Sequence, residues 1–290
     1  MEVVTSIDRV REFLDDQRRD GRVVGVVPTM GFLHAGHLSL MRRAVHDCDV
    51  CVTTIFVNPL QFAAGEDLSR YPRDVEGDLG HASSVGIDCV FMPTVDEMYP
   101  DKVLTSVSVD GVSLAMEGAS RPTHFAGVAT VVAKLFNILG PCTAYFGEKD
   151  FQQLAVVRRM VRDLSIPVSV IGCPTVREPD GLARSSRNVY LSEGQRRAAP
   201  ALYAALCAGA DAILSGETSA EAVRALMYRI VESADGADVD YLEIADASTL
   251  EPQQTCAVET SRLFGAVRFG ATRLIDNVGV EIAERGVLDV

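Results

Sequence analysis

The sequence is short of several things, and each shortage closes off a class of function. In 290 residues, no stretch approaches the roughly 20 consecutive apolar residues that a bilayer-crossing helix requires. The opening segment MEVVTSIDRVREFLDD has no basic leader ahead of a long apolar run, so no secretion signal is expected and a cytoplasmic location follows as the default. Positive charge is scarce: 27 Lys and Arg against 40 Asp and Glu give a formal net charge of −13. A surface of that sign repels a polyanionic backbone, which argues against long nucleic acid as partner. A local basic cleft could still hold one small phosphorylated ligand. Cys48 and Cys51 have C-x-x-C spacing, but no second Cys or His pair stands nearby at metal-ligand spacing. With Cys89, Cys142, Cys173, Cys207 and Cys256 they make an odd total of seven, read as buried free thiols. There is also no Walker lysine loop, no nucleophile elbow, no internal repeat and no low-complexity tract.

What is present begins with a rhythm. Up to about residue 175, short apolar runs alternate with helix-like segments: RVVGVVPTM (22–30), VCVTTIFV (50–57), DCVFMP (88–93), TAYFG (143–147) and VSVIGC (168–173) as strands. HLSLMRRAVHDC (37–48), VEGDLGHASSVG (75–86), GVATVVAKLFNIL (127–139) and FQQLAVVRRMVRDL (151–164) read as helices. This alternation predicts an α/β fold with a mostly parallel sheet covered on both faces, whose ligands lie beyond the carboxyl ends of the strands. After the polar stretch 174–192 the pattern changes to two helical stretches, about 193–215 and 218–235, followed by three strand candidates. That order predicts two domains, 1–175 and a smaller α+β domain over 176–290, with the polar stretch at the seam.

Four segments carry candidate chemistry. In VVPTMGFLHAGHLSL (26–40) a strand ends at Met30, Gly31 begins a short loop, and a helix starts near Gly36. The first amides of that helix are expected to point outward and favour an anion, with Gly36 allowing close approach. His34 and His37, three apart, share a helical face and can each donate to a phosphate or move a proton near neutral pH. FVNPLQF (56–62) leaves the next strand with Asn58 and Gln61, which both donate and accept and so suit a small polar substrate; a Pro59 turn with incidental amides stays equally open on the residues alone. YFGEKDFQQL (145–154) places Gly147, Lys149 and Asp150 between a strand and a helix, where the lysine can neutralise phosphate. LARSSRN (182–188) offers Arg184, Ser185, Ser186 and Arg187 as a phosphate-closing loop, with an inert linker as the bland alternative. Together these describe a nucleoside-triphosphate site, and transfer of a nucleotidyl group fits them better than kinase chemistry.

The segments PTMGFLHAGH, IFVNPLQF, RPTHFAGV, YFGEKDFQQL and SSRNVYLS, in this order, resemble the pantothenate synthetase (pantoate–β-alanine ligase) family. The likeness runs from about residue 23 to TRLIDNV near the C-terminus; H-x-G-H alone would indicate only the wider superfamily of nucleotidyltransferases. The resemblance implies a Rossmann-like domain that binds ATP and pantoate, with an ATP-closing loop in 176–290. It also implies a two-step ligation: ATP and pantoate give pantoyl adenylate and pyrophosphate, then β-alanine displaces AMP. By the family's pattern Met30, Gly31, His34, Gly36, His37, Gly147, Lys149, Asp150, Val176 and Arg184 to Arg187 serve ATP. Gln61, Gln153 and Asn58 serve pantoate and β-alanine, and His37, His34 and Lys149 are catalytic. A cytoplasmic homodimer using Mg²⁺ is implied as well. The chain departs from the pattern at Arg184, where the family usually has Met, and at Gly77, where relatives carry one of two carboxylates credited with Mg²⁺. Only Asp78 of that pair is kept, so Mg²⁺ is expected to ride mainly on the ATP phosphates, and its protein ligands are unassigned. The rival reading is another small nucleotidyltransferase that adenylates a cofactor precursor and keeps the nucleotide in its product.

Overall fold

The computed structural model describes residues 1–63, 65 and 67–280. Two compact units divide the chain. The first comprises Met1–Ser113, Glu117–Glu148 and Gln153–Cys173; the second comprises Leu114–Met116, Lys149–Gln152 and Pro174–Val290.

The first unit is built from β1 (Glu2–Val4), α1 (Ile7–Arg19), β2 (Val24–Thr29), α2 (Ala35–Asp47), β3 (Val50–Ile55), α3 (Val75–Ser84), β4 (Cys89–Phe91), α4 (Val95–Met98), α5 (Glu117–Ser120), α6 (His124–Leu139), β5 (Cys142–Gly147), most of α7 (Phe151–Asp163) and β6 (Val168–Cys173). The six strands form one parallel sheet in the order β1-β4-β3-β2-β5-β6. β3 is buried along its whole length, and β2 at all but one position. This is why these strands read as continuous apolar runs and not as alternations: helices cover both faces. Two elements escape the periodicity. β1 has three residues, too few to show a pattern, yet pairs with β4. α1 follows it, with the Ser6 hydroxyl accepting from the Arg9 amide at its start.

The chain order reverses at β2, which has β3 on one side and β5 on the other. Pairing with β3 runs the full length of β2, but pairing with β5 covers only Gly25 and Val26. The Thr29 carbonyl accepts from Phe56 beyond β3, so by the two-residue period Pro28 faces the β5 side. Proline has no N–H to give a ladder, and it stands where the ladder has already ended. The strands therefore part at their carboxyl ends, the usual ligand crevice of such sheets.

The second unit packs α8 (Glu193–Ala198), α9 (Ala201–Leu214) and α10 (Ala220–Glu232) with an antiparallel sheet of β7 (Ala237–Asp246), β8 (Ser261–Phe269) and β9 (Thr272–Gly279). The single helix expected over 193–215 is instead two, because Pro200 cannot donate to the turn before it. Arg177 and Asp276 form a buried bidentate ion pair here, at 2.5 and 3.0 Å, under the Tyr203 ring.

Candidate active site

The loop from β2 to α2 is held almost entirely by side-chain acceptors. Thr29 Oγ1 donates to the Thr54 carbonyl at 2.6 Å and accepts from Gly31 N at 3.2 Å. Phe32 N and Leu33 N donate to the two oxygens of Asp78 at 2.8 and 2.6 Å. Gly31 (φ +82°) and Phe32 (φ +52°) are both left-handed, which suits the glycine but costs the phenylalanine about 1–2 kcal/mol. A Cβ on Gly31 would stand 2.8 Å from Asp78 Oδ2.

At the end of this turn the two histidines cap α2 reciprocally. His34 is the N-cap and its Nδ1 accepts from Gly36 N at 3.2 Å, while His37 Nδ1 accepts from His34 N at 3.3 Å. The ring centroids are 4.1 Å apart. An Nδ1 that accepts an amide carries no proton, so each neutral ring bears its hydrogen on Nε2. Outward-pointing first-turn amides are the expectation from the sequence; in the structure Gly36 N of that turn, and the loop amides from Gly31 to His34, are instead taken by side chains.

Asn58 and Gln61 lie on the turn that follows β3, where Pro59–Gln61 form one 3₁₀ turn. Asn58 is 1% exposed. Its Nδ2 donates to Gln61 Oε1 and to the Gly127 carbonyl, both at 3.2 Å, and its Oδ1 accepts from Tyr99 Oη at 2.9 Å. Gln61 Nε2 lies 3.3 Å from Met30 Sδ, which joins this turn to the histidine loop. Arg121 Nη2 donates to the Gln61 carbonyl at 3.2 Å, and His124 Nδ1 lies 3.0 Å from the same oxygen. The RPTHFAGV segment, which carries part of the resemblance but no role of its own, grips the backbone of Gln61. Gly147, at the end of β5, has nothing within 4 Å of a Cβ position, and Gln153 is half-buried on α7.

The remaining predicted residues belong to the second unit. Lys149 Nζ pairs with Asp150 Oδ1 at 3.2 Å, and the lysine side chain is 20% exposed. Their 3₁₀ turn, Glu148–Asp150, runs straight into α7. The stretch around Arg184, expected as a phosphate-closing loop, is built as a hairpin and a turn. Arg184 N donates to the Val176 carbonyl at 2.9 Å and Glu178 N to the Leu182 carbonyl at 2.8 Å. Ser185 then caps a 3₁₀ turn over Ser186–Tyr190. Arg184 reaches Glu178 at 3.1 Å, an ion pair that the family's usual methionine could not make.

All seven cysteines are free thiols, with Cys51, Cys89, Cys173 and Cys256 buried as expected and Cys48, Cys142 and Cys207 only half-buried. Burial, helped by Cys48 and Asp88, pushes Cys51 up to about 12, and burial does the same to Cys89 and Cys142. Among the described residues, no three His, Cys, Asp or Glu side chains cluster as metal ligands, and the two Asp78 oxygens accept loop amides. The donor set therefore does not make a cage for Mg²⁺.

A parallel α/β unit that ends a central strand in an imidazole-capped H-x-G-H helix, beside an amide-bearing turn, defines a nucleotide-handling enzyme. The family model for pantoate-beta-alanine ligase matches residues 2–279. Pantothenate synthetases of Moorella thermoacetica and Herpetosiphon aurantiacus are 50% and 51% identical, covering 97% and 96% of this chain and 99% of each relative. The crystal structure of pantothenate synthetase from Thermus thermophilus superposes with a TM-score of 0.91 at 47% identity, over 97% of this chain and 99% of that one. That of pantoate-beta-alanine ligase from Francisella tularensis, complexed with beta-gamma ATP and beta-alanine, gives 0.80 at 32% identity over 98% and 99%. The chain belongs to the pantoate–β-alanine ligase family.

Proposed function

We propose that the chain joins pantoate to β-alanine at the expense of ATP, and that the reciprocal histidine cap is the observation that carries the residue assignments. A pantoate carboxylate oxygen attacks the α-phosphorus of ATP and the bond to pyrophosphate breaks, giving pantoyl adenylate. The amine of β-alanine, having lost a proton, then attacks the acyl carbon, and the C–O bond to AMP breaks. Carboxylate oxygen is a poor leaving group and AMP a good one, so one hard amide synthesis becomes two easier displacements.

His34 and His37 present Nε2–H to the phosphate oxygens as charge grows in the transition state, with His37 the proton donor; because Nδ1 of each ring is fixed, little reorganisation is needed at that moment. Met30, Gly31, Gly36 and Gly147 line the nucleotide without blocking it. Lys149 exchanges Asp150 for phosphate, and Val176, Arg184, Ser185, Ser186 and Arg187 contact ATP and exclude water from the adenylate. Gln61 and Gln153 bind pantoate and place β-alanine, and Asn58 acts through Gln61. Magnesium arrives with ATP as part of the substrate, held by its phosphates. The chain works in the cytoplasm as a homodimer, for which light scattering should read twice the 31.2 kDa chain mass.

Purified protein given ATP, Mg²⁺, pantoate and β-alanine should form pantothenate and AMP in equal amounts, and none when any one substrate is omitted. A product that keeps the nucleotide would favour the rival transferase.

A further inference from the structure

The left-handed turn before the histidines is held by a residue that the reaction scheme leaves unused. Asp78 sits in the first turn of α3, 45 residues beyond Leu33, and is 3% exposed. Its two oxygens accept Phe32 N and Leu33 N, and one of them closes off the space beside Gly31. The next amide along, His34 N, is the one that fixes the His37 ring.

We propose that Asp78 is a positioning residue of the adenylation step: its carboxylate holds the turn at Gly31–Leu33 and so sets the bearing of both Nε2–H groups. The proposal rests on reading the histidine loop as the nucleotide site. Left-handed backbone at a phenylalanine persists only where its surroundings over-determine it, and here the carboxylate is the acceptor that does so. Without it, the buried Leu33 amide and the half-buried Phe32 amide lose this acceptor, and the peptide feeding His34 loses its anchor. The competing role for this carboxylate, direct ligation of Mg²⁺, would use the remaining lone pairs of the same two oxygens, so the two roles are told apart by their dependence on Mg²⁺ concentration.

The test uses the full chain, first measuring pantoate-dependent exchange of labelled pyrophosphate into ATP. If the unaltered chain shows no exchange, the reading of the site fails, and with it the ground for this proposal. With exchange present, Asp78→Asn keeps the shape but turns one acceptor into a donor facing an N–H. It should lower the exchange kcat by about 10- to 100-fold, with the Mg²⁺ concentration for half-maximal rate unmoved. The ¹⁵N signals of the two imidazoles should leave the Nε2–H pattern, which a loss of general stability with the loop intact would not cause. Adding Phe32→Gly, which accepts the left-handed turn without strain, should recover part of the rate lost in Asp78→Asn. Rescue of Asp78→Asn by extra Mg²⁺ would assign the carboxylate to the metal and overturn the proposal, as would slowed exchange with unaltered imidazole signals. Unchanged exchange would overturn it equally. Should Asp78→Asn fail to fold, Asp78→Glu decides, since it keeps the charge but moves the two acceptors by one methylene: slowed exchange with altered imidazole signals supports the proposal, and unchanged exchange or unaltered signals overturn it.

Discussion

In the proposed mechanism each histidine of the α2 cap serves two purposes through its two nitrogens: Nδ1 builds the helix start, and Nε2–H meets the phosphate. Replacing His37 with alanine therefore removes a phosphate donor and the acceptor for His34 N together. Pyrophosphate exchange should fall by about 10²–10⁴-fold. Transfer from preformed pantoyl adenylate to β-alanine should suffer far less, and equal losses in both half-reactions would refute the assignment. Arg184→Met tests the chain's own departure from its family. The Arg184–Glu178 pair is partly exposed, at 38% and 25%, so its contribution is below about 1 kcal/mol. Arg184 Nε is buried without an acceptor, and methionine would remove that cost. The melting temperature should scarcely move, while the KM for ATP should rise and depend less steeply on ionic strength; an unchanged KM and salt slope would remove Arg184 from the nucleotide site. At this scale the histidines and Gln61 were legible because H-x-G-H and N-P-L-Q are contiguous in the chain. The holding roles of Asp78 and Thr54 were not, since each reaches the histidine loop from a distant element and sequence periodicity carries no such pairing.

Helix α6 shows how an element can shape the site without contributing a reacting group. Gly127 faces the Pro59–Gln61 turn so closely that a Cβ would run into the Leu60 carbonyl oxygen, and its own carbonyl accepts from Asn58. Gly127→Ala should push that turn away, costing about 1–3 kcal/mol of stability and raising the KM for pantoate more than that for ATP. Thermal melts and steady-state kinetics check the two effects. The strands β2, β3 and β4 could be read in advance because burial on both faces leaves a mainly apolar run, while β5 and the edge strand β6, only partly buried, show through their apolar and β-branched residues. The N-terminal pair β1 and α1 was missed, as a three-residue strand is defined by its pairing with residue 89 and beyond. The break at Pro200 was open to a local reading, since proline interrupts a helix by rule.

The whole molecule is not two successive beads. The second unit takes back Leu114–Met116 and Lys149–Gln152 from within the span of the first. Within that unit the Phe151 ring lies 3.8 Å from the Arg262 guanidinium and 6.0 Å from the Phe264 ring, and the Lys149 carbonyl accepts from Asn277. A fragment over 174–290 lacks these partners and should melt well below the same unit in the full chain. A fragment as stable as the intact protein would show the short pieces to be incidental. The change in residue pattern near 175 was visible in the sequence; the claim of the second unit on Phe151 was not, because a single aromatic on an amphipathic helix carries no address. The acidic total also acts at this scale, pointing away from polyanions and toward one small phosphorylated ligand.

The centre of the parallel sheet has a consequence for synthesis. Strand β2 ends at Thr29, yet its second neighbour is supplied by Thr143 and Ala144. On the ribosome, at roughly 5–20 residues per second, more than a hundred residues must emerge before that strand is flanked on both sides. Until then a largely apolar ribbon with an open edge waits in the nascent chain, and slowed translation or a missing chaperone should show first as aggregation through that edge.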